Sequence, residues 1–260
     1  MKPPVKLAVG MIGVVVLGVA VLAVEAVLAA GGPRENFQNP SQESRAFGSA
    51  PAPPGVAPLK YAVLGDSTAA GQGAEPEAGI APSTARALAS NRSVQLTNFA
   101  VSGAPTADVL KSQVAAAAAL KPDVVLVSAG ANDVTKLTPT STVTRNLAGI
   151  TDQLIAANCN VKIVLTGSPD MGGARRFAQP LRWVAGLRSQ QLNPKVRELA
   201  EARHLTFAPI AERTGPAFRS DPALLAADRF HPNARGYALW TEVLNPSLAE
   251  ALSAQPSHCT

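Results

Sequence analysis

The stretch Tyr61-Ala62-Val63-Leu64-Gly65-Asp66-Ser67-Thr68 is an apolar run that ends abruptly in a Gly-Asp-Ser turn. Four to eight apolar residues bounded by glycine are typical of a central strand in a parallel sheet. The small residues that follow let the chain turn into a helix. Ser67 would then lie at the N-terminus of that helix, where backbone N–H groups and the helix dipole favour negative charge. Because Gly-Asp-Ser is also an ordinary turn, the rest of the chain has to decide between the two interpretations.

Predicted strands alternate with predicted helices from Leu59 onward. The predicted strands are Leu59–Leu64, Val94–Val101, Asp123–Ser128, Val161–Thr166 and Leu205–Ile210. The predicted helices are Pro82–Asn91, Thr106–Leu120, Ser141–Asn158, Leu181–Arg203 and Pro232–Ala254. This alternation indicates right-handed βαβ crossovers. We therefore predict a single α/β domain over residues 59–260, a three-layer α/β/α sandwich around a five-stranded parallel sheet.

The first thirty residues are strongly apolar. Leu7–Val24 is an uninterrupted run of eighteen apolar or glycine residues, and a helix of ~20 such residues spans a bilayer. Lys2 and Lys6 predict that the N-terminus lies inside and the domain outside. A signal peptide cleaved near Ala30 is the alternative, although its apolar region would exceed the usual ~7–15 residues. We predict that residues 1–30 form a transmembrane helix, so that the protein is membrane-anchored and extracytoplasmic, or secreted if cleavage occurs.

Residues 31–58 are rich in proline, glycine and serine, and we predict a linker that holds the domain off the membrane. The net charge of +5 suits an anionic surface such as lipid headgroups. Lysine and arginine are dispersed and aromatic residues make up only 4% of the chain, so no nucleic-acid binding is predicted.

Cysteine and histidine are too few and too widely spaced for a metal site. The histidines are His204, His231 and His258, and the cysteines are Cys159 and Cys259. None of them shows metal-ligand spacing, so we predict no metal or other cofactor, and we expect His204 and His258 at the surface. The two cysteines form a bridge in an oxidising compartment or stay free thiols, and the sequence leaves both open.

Glycine and polar residues follow the first three predicted strands. Ser67 follows the first strand, Gly103 the second and Asn132 the third, and the loop before the last helix carries Asp228 and His231. Ligands bind outside the carboxyl ends of the strands in open α/β sheets. We therefore expect all five residues at one edge of the sheet.

These groups are the ones that acyl transfer requires. A serine hydroxyl needs a nearby base, and the base needs a partner that fixes its tautomer and stabilises its charged form. We predict that His231 takes the proton from Ser67 and that Asp228 is the partner of His231. The backbone N–H groups of Ser67 and Gly103 and the side-chain amide of Asn132 are predicted to form the oxyanion hole.

Four separated blocks resemble the SGNH or GDSL hydrolase family. They are Gly65-Asp66-Ser67-Thr68, Asn98-Phe99-Ala100-Val101-Ser102-Gly103, Gly130-Ala131-Asn132-Asp133 and Asp228-Arg229-Phe230-His231-Pro232. Thr68 departs from the leucine that is usual in the family. The resemblance covers about Leu59 to Leu252 and implies a flavodoxin-like domain, with a serine esterase or lipase activity that uses a covalent acyl-enzyme. Because the family is broad, a cell-envelope polysaccharide deacetylase or acyltransferase is the alternative.

Several interpretations compete at single positions. Asp221 is a rival of Asp228 as the acid beside His231, and Asp133 is predicted to cap a helix. The loop 168–177 lies at the predicted functional edge, and either forms a substrate lip or is a solvated basic surface. Its basic and aromatic candidates, with those just after it, are Arg175, Arg176, Arg182 and Trp183. A catalytically silent binding module would lack a triad member, and none is missing.

Overall fold

The computed structural model describes residues 16, 18–25, 27, 31, 37–48, 57–253 and 258–259. Most of the predicted membrane anchor at 1–30 and part of the predicted linker at 31–58 lie outside the described residues. Among the residues that are described, no helix combines the length and apolar character needed to cross a bilayer.

A mixed sheet forms the centre of the domain, and within the described residues it has six strands. They are β1 (Arg45–Phe47), β2 (Leu59–Gly65), β3 (Val94–Asn98), β4 (Val124–Ser128), β5 (Lys162–Leu165) and β6 (Thr206–Phe207). The strand order is β1-β3-β2-β4-β5-β6. Strands β2 to β6 pair in parallel, whereas β1 is antiparallel to β3. The α/β class is confirmed, but the prediction of a five-stranded, purely parallel sheet is wrong.

The additional strand β1 lies in the stretch that was predicted as linker. Arg45 pairs with Leu96 and Phe47 with Val94 along the edge of the sheet. The hydroxyl groups of Ser44 and Thr97 are 2.7 Å apart and join the same two segments. Three residues are too few to show a strand pattern of their own, so the pairing depends on the exposed edge of β3.

Helices cover both faces of the sheet. They are α1 (Ser67–Ala70), α2 (Ile80–Leu88), α3 (Thr106–Ser112), α4 (Val114–Ala119), α5 (Ala131–Thr135), α6 (Thr140–Ala157), α7 (Leu181–Ala202), α8 (Ile210–Ser220) and α9 (Ala234–Ser253). Alternate residues of β2 point to opposite faces. Ala62 and Leu64 join the core with α3, α4, α6 and α7, and Tyr61 and Val63 join the core with α2, α8 and α9.

Two helical predictions differ from the structure. The predicted helix Thr106–Leu120 is divided into α3 and α4 at Gln113, which lies between them. Helix α8 was not predicted, and the predicted strand Leu205–Ile210 is reduced to the two residues of β6, with Ile210 starting α8. A short apolar run does not by itself distinguish a strand from the start of a helix.

The end of β2 is fixed by two buried contacts. A Cβ atom on Gly65 would lie 1.9 Å from the carbonyl oxygen of Ser128, so only glycine allows this approach to β4. The side chain of Gln113 accepts a hydrogen bond from the Gly65 N–H at 2.9 Å and donates one to the Gly65 carbonyl at 2.8 Å. The backbone directly before Ser67 is therefore held on both sides.

Cys159 and Cys259 form a disulfide, which answers the question that the sequence left open. The bond joins the segment before β5 to the residues after α9, across a sequence separation of 100. It therefore closes a loop that contains β5, β6 and the three C-terminal helices.

Candidate active site

The predicted site residues come together at one edge of the sheet. Ser67 follows β2, and Asn132 lies in α5, directly after the neighbouring strand β4. His231 lies in the loop before α9. These three residues line one cavity. Gly103 follows β3, on the other side of β2, and the next residue, Ala104, has its carbonyl oxygen 3.4 Å from Nδ2 of Asn132.

Ser67 and His231 are in direct contact although they are 164 residues apart in the chain. The Nε2 atom of His231 lies 2.8 Å from Oγ of Ser67. Both residues are buried, with 6% and 7% of their surface exposed. The exclusion of water strengthens a polar contact of this kind.

A tight turn places Asp228 against the other ring nitrogen of His231. Its Oδ2 atom lies 2.5 Å from Nδ1 of His231, and its Oδ1 atom accepts the backbone N–H groups of Phe230 and His231 at 2.9 and 3.0 Å. Arg229 has a φ of +58°, which reverses the chain within the turn. An ionised carboxylate only accepts hydrogen bonds, so Nδ1 carries the proton and Nε2 is free to accept one from Ser67.

The pKa of Asp228 is lowered from its ordinary value. Burial of the carboxyl group opposes this shift, but the hydrogen bond and charge of His231 and the two backbone N–H donors outweigh it. Asp228 therefore stays ionised at neutral pH. The rival acid, Asp221, accepts the N–H of Ala223 and pairs with Arg235, and it does not bond to His231.

Asp66 orders the turn that carries Ser67. Its Oδ1 atom accepts the backbone N–H of Thr68 at 2.9 Å and the hydroxyl of Thr68 at 2.8 Å. The threonine at the family's usual leucine position thus has a clear partner. Burial raises the pKa of Asp66, although the hydrogen bonds from Thr68 oppose the increase.

Of the three predicted oxyanion donors, Ser67 and Asn132 line the cavity, and Gly103 follows the strand on the other side of β2. The carboxylate of Asp66 accepts the Thr68 N–H, and within the described residues the Ser67 N–H has no hydrogen-bond acceptor. Gly103 has a φ of +83°, a conformation that glycine adopts without strain. The amide of Asn132 makes a long bond of 3.4 Å to Ala104, which an incoming oxyanion can replace.

Asp133 is not the N-cap residue of the helix that contains it, because Gly130 takes that position, but its carboxylate binds the first residue of α3. It lies inside α5, and its carboxylate accepts the backbone N–H and the hydroxyl of Thr106 at 2.8 and 2.9 Å. The two segments that carry Gly103 and Asn132 are thereby joined. An acidic residue after Asn132 fitted both roles in the sequence, and only the position of Thr106 decides between them.

Sequence reasoning missed several residues that position the site. Besides Gln113, the hydroxyl of Tyr237 donates to the carbonyl of Gln72 at 2.6 Å and links α9 to the segment after Ser67. The ring of Phe230 meets the His231 ring edge-on, with centroids 5.0 Å apart. Phe230 was visible in the fourth block, but the contacts of Gln72 and Tyr237 have no signal in the sequence.

The loop 168–177 reaches the site through its apolar part. Pro169, Met171 and Ala174 line the cavity beside Ser67. Arg175 bonds instead to the carbonyl of Arg219, and Trp183 is 62% exposed outside the cavity. Within the described part of the chain, histidine, cysteine and acidic side chains form no group that could hold a metal ion.

An α/β/α domain with serine, glycine, asparagine and histidine at one edge of its sheet defines a class of hydrolases. The chain belongs to the GDSL-like lipase/acylhydrolase family, whose model matches residues 63–239. The predicted family is therefore confirmed.

Known proteins with related sequences or structures are consistent with membership of this family. A GDSL-like esterase of Mycobacterium tuberculosis is 31% identical over 198 residues, which cover 74% of this chain and 62% of that protein. The crystal structure of TesA matches 74% of this chain and 99% of its own, with a TM-score of 0.62 and 20% identity. The crystal structure of a lipase/acylhydrolase from Enterococcus faecalis matches 77% of this chain and 100% of its own, with a TM-score of 0.60 and 22% identity. At these identities, the two structures support the fold alone.

Proposed function

We propose that this protein is a serine esterase in which Ser67, His231 and Asp228 form the catalytic triad. The observation that carries the proposal is the continuous line of contacts from Oγ of Ser67 through His231 to the carboxylate of Asp228. The hydrogen-bond roles along this line are those that a nucleophilic serine needs.

The reaction proceeds in two steps. Oγ of Ser67 attacks the carbonyl carbon of the ester while Nε2 of His231 takes the hydroxyl proton, and the charged ring is balanced by Asp228. The C–O bond to the alcohol then breaks, and His231 returns the proton to the departing oxygen. Water, activated by the same nitrogen, hydrolyses the acyl-enzyme and releases the acid.

The negative charge that develops on the carbonyl oxygen needs donors that are already in place. The proposed donors are the N–H groups of Ser67 and Gly103 and the amide of Asn132. Loss of one such donor typically lowers turnover by ~10²–10³. Replacement of Asn132 by alanine is therefore expected to lower kcat much more than it changes KM.

Labelling with a fluorophosphonate probe, followed by peptide mapping, tests the nucleophile directly. The label is expected on the peptide that contains Ser67, and S67A is expected to lose both the label and the hydrolysis of p-nitrophenyl acetate. The matched control is S102A, because the Ser102 hydroxyl donates to Gln72 and does not contact His231. Undiminished turnover by folded S67A would reject the mechanism. Acceptor sugars added to the same assay separate hydrolysis from acyl transfer to a cell-envelope polysaccharide.

The proposal includes a place outside the cytoplasm, with residues 1–30 as the anchor. Lys2, Lys6 and the apolar run Leu7–Val24 support this orientation. The disulfide between Cys159 and Cys259 also supports it, because such bonds persist in oxidising compartments. Fractionation of cells that express the full chain tests the anchor. Recovery in the medium of a form that begins near residue 31 would instead support cleavage near Ala30.

A further inference from the structure

A small cavity lies directly beside Ser67. Its volume is about 40 Å³, whereas pockets for drug-sized ligands measure roughly 300–1,000 Å³. A single water-sized group already needs roughly 10–15 Å³, so the cavity has room for only a few such groups. Much of its wall is apolar and comes from Met171, Phe218, Phe230 and Trp240. The space therefore suits a short alkyl group.

A second and larger cavity lies next to the first. Its volume is about 430 Å³, and Asp170 is the one described residue that lines both cavities. Gly215 lines the first cavity, and the next residue, Pro216, lines the second. A Cβ atom on Gly215 would lie 2.7 Å from Oδ2 of Asp170, so the carboxylate lies directly against this glycine. The two spaces therefore meet at Asp170 and the adjoining residues Gly215 and Pro216.

The carboxylate of Asp170 is held firmly in this position. Arg219 donates through Nε to Oδ2 at 2.5 Å and through Nη2 to Oδ1 at 3.0 Å. The backbone N–H of Gly172 donates to Oδ1 at 3.0 Å. The side chain is only 11% exposed, and a buried charge that loses its partner is costly. An alkyl chain that enters the first cavity therefore cannot easily displace this wall.

We propose that Asp170 determines the acyl-chain specificity of the enzyme, because its carboxyl group ends the acyl pocket and limits substrates to esters of short acids, from acetate to butyrate. This inference rests on the proposed function. In the covalent intermediate, the acyl group stays bonded to Oγ of Ser67 and has to occupy the adjacent cavity. The alcohol leaves, so its length is not limited in the same way.

The test compares wild type, D170A and D170N on p-nitrophenyl acetate, butyrate, hexanoate and octanoate. One misplaced methylene costs roughly 10–200-fold in kcat/KM, so wild type is expected to fall at least tenfold between butyrate and hexanoate. D170A joins the two cavities and is expected to raise the hexanoate-to-acetate ratio by roughly tenfold. The isosteric control D170N removes the charge but keeps the wall, and its chain-length profile is expected to match wild type.

Each outcome separates the pocket from the chemistry. Wild type that hydrolyses octanoate as fast as acetate overturns the length limit and leaves the esterase intact. Wild type without turnover of any ester and without a label on Ser67 overturns both proposals. The same shift in D170N and D170A would assign the effect to the lost ion pair and overturn the role of the wall. If D170A does not fold, D170S decides, because its hydroxyl can still accept the Gly172 N–H. An unchanged profile in whichever of the two variants folds also overturns the proposal.

Discussion

Replacing Asp228 with asparagine is expected to change which nitrogen of His231 carries the proton. In the wild type, Oδ1 accepts two backbone N–H groups and Oδ2 faces Nδ1. The asparagine oxygen can keep the two backbone bonds, so its amide N–H₂ then faces Nδ1 as a donor. Nδ1 has to become an acceptor, and the proton of the neutral ring moves to Nε2. The ring then donates to Oγ of Ser67 and can no longer accept its proton.

The magnitude follows from this change of tautomer. The same substitution in another Ser-His-Asp triad lowers kcat by about 10⁴ while the geometry is kept, which corresponds to roughly 5 kcal/mol of activation free energy. A similar loss is expected here, because Asp228 and His231 are both buried and water cannot easily replace the carboxylate. KM is expected to change little, because Asp228 lies behind the imidazole and does not line the cavity.

The assay is the steady-state hydrolysis of p-nitrophenyl acetate by wild type, D228N and D221N, with far-UV circular dichroism to confirm the fold. Asp221 is a matched control, because it is an acid seven positions before Asp228 that bonds to Ala223 and Arg235 instead of His231. D221N is expected to keep wild-type kcat. Near-wild-type turnover by D228N would refute the role of the carboxylate, and equal losses in both variants would indicate a general disturbance of this segment.

Three further changes test how the site is held. Burial raises the pKa of Asp66, so the folded protein keeps the carboxyl proton to a higher pH than the unfolded chain does. The free energy of unfolding of wild type should therefore fall relative to that of D66N as pH rises from about 3.9 through the raised pKa. Urea unfolding near pH 3.5 and pH 7 measures this, and a constant difference would contradict it. Q113L leaves the N–H and carbonyl of Gly65 unpaired and should lower the free energy of unfolding by roughly 1–3 kcal/mol per group. A Q113L variant as stable as wild type would show that water replaces the amide. Replacing Cys159 and Cys259 with serine should lower the free energy of unfolding by up to roughly 4.7 kcal/mol. The reduced wild type should unfold at the same urea concentration as this double variant. A double variant as stable as the oxidised wild type would contradict the contribution of the disulfide.

The sequence predicts the site because each part of it follows a strong local signal. Ser67 and Asn132 come directly after buried apolar strands, and parallel strands bring their carboxyl ends to one edge. Asp228 and His231 belong to one short turn, so their contact needs little help from the rest of the fold. These features are properties of short segments, and a single sequence is enough to recognise them.

The parts that were missed depend on contacts between distant segments. Strand β1 exists because the edge of β3 offers unpaired backbone groups, and nothing in the short stretch Arg45–Phe47 reveals this partner. Gln113 looks like an ordinary helical residue until its amide meets Gly65. The wall at Asp170 requires Arg219, which is 49 residues later in the chain. No periodicity or motif connects such pairs.

In the proposed triad, Asp228 and His231 are close in the chain and Ser67 is distant, so the fold has to stabilise the contact between His231 and Ser67. The turn holding Asp228 and His231 is closed by its own backbone, with the N–H of Ala226 donating to the His231 carbonyl at 2.8 Å. The contact of His231 with Ser67 instead depends on how α9 and its preceding loop pack on the segment after α1. There the Tyr237 hydroxyl bonds to Gln72, and the chain is so close that a Cβ atom on Gly73 would lie 2.8 Å from that of His231. Loosening of α9 therefore separates imidazole from hydroxyl while leaving the pair of Asp228 and His231 intact.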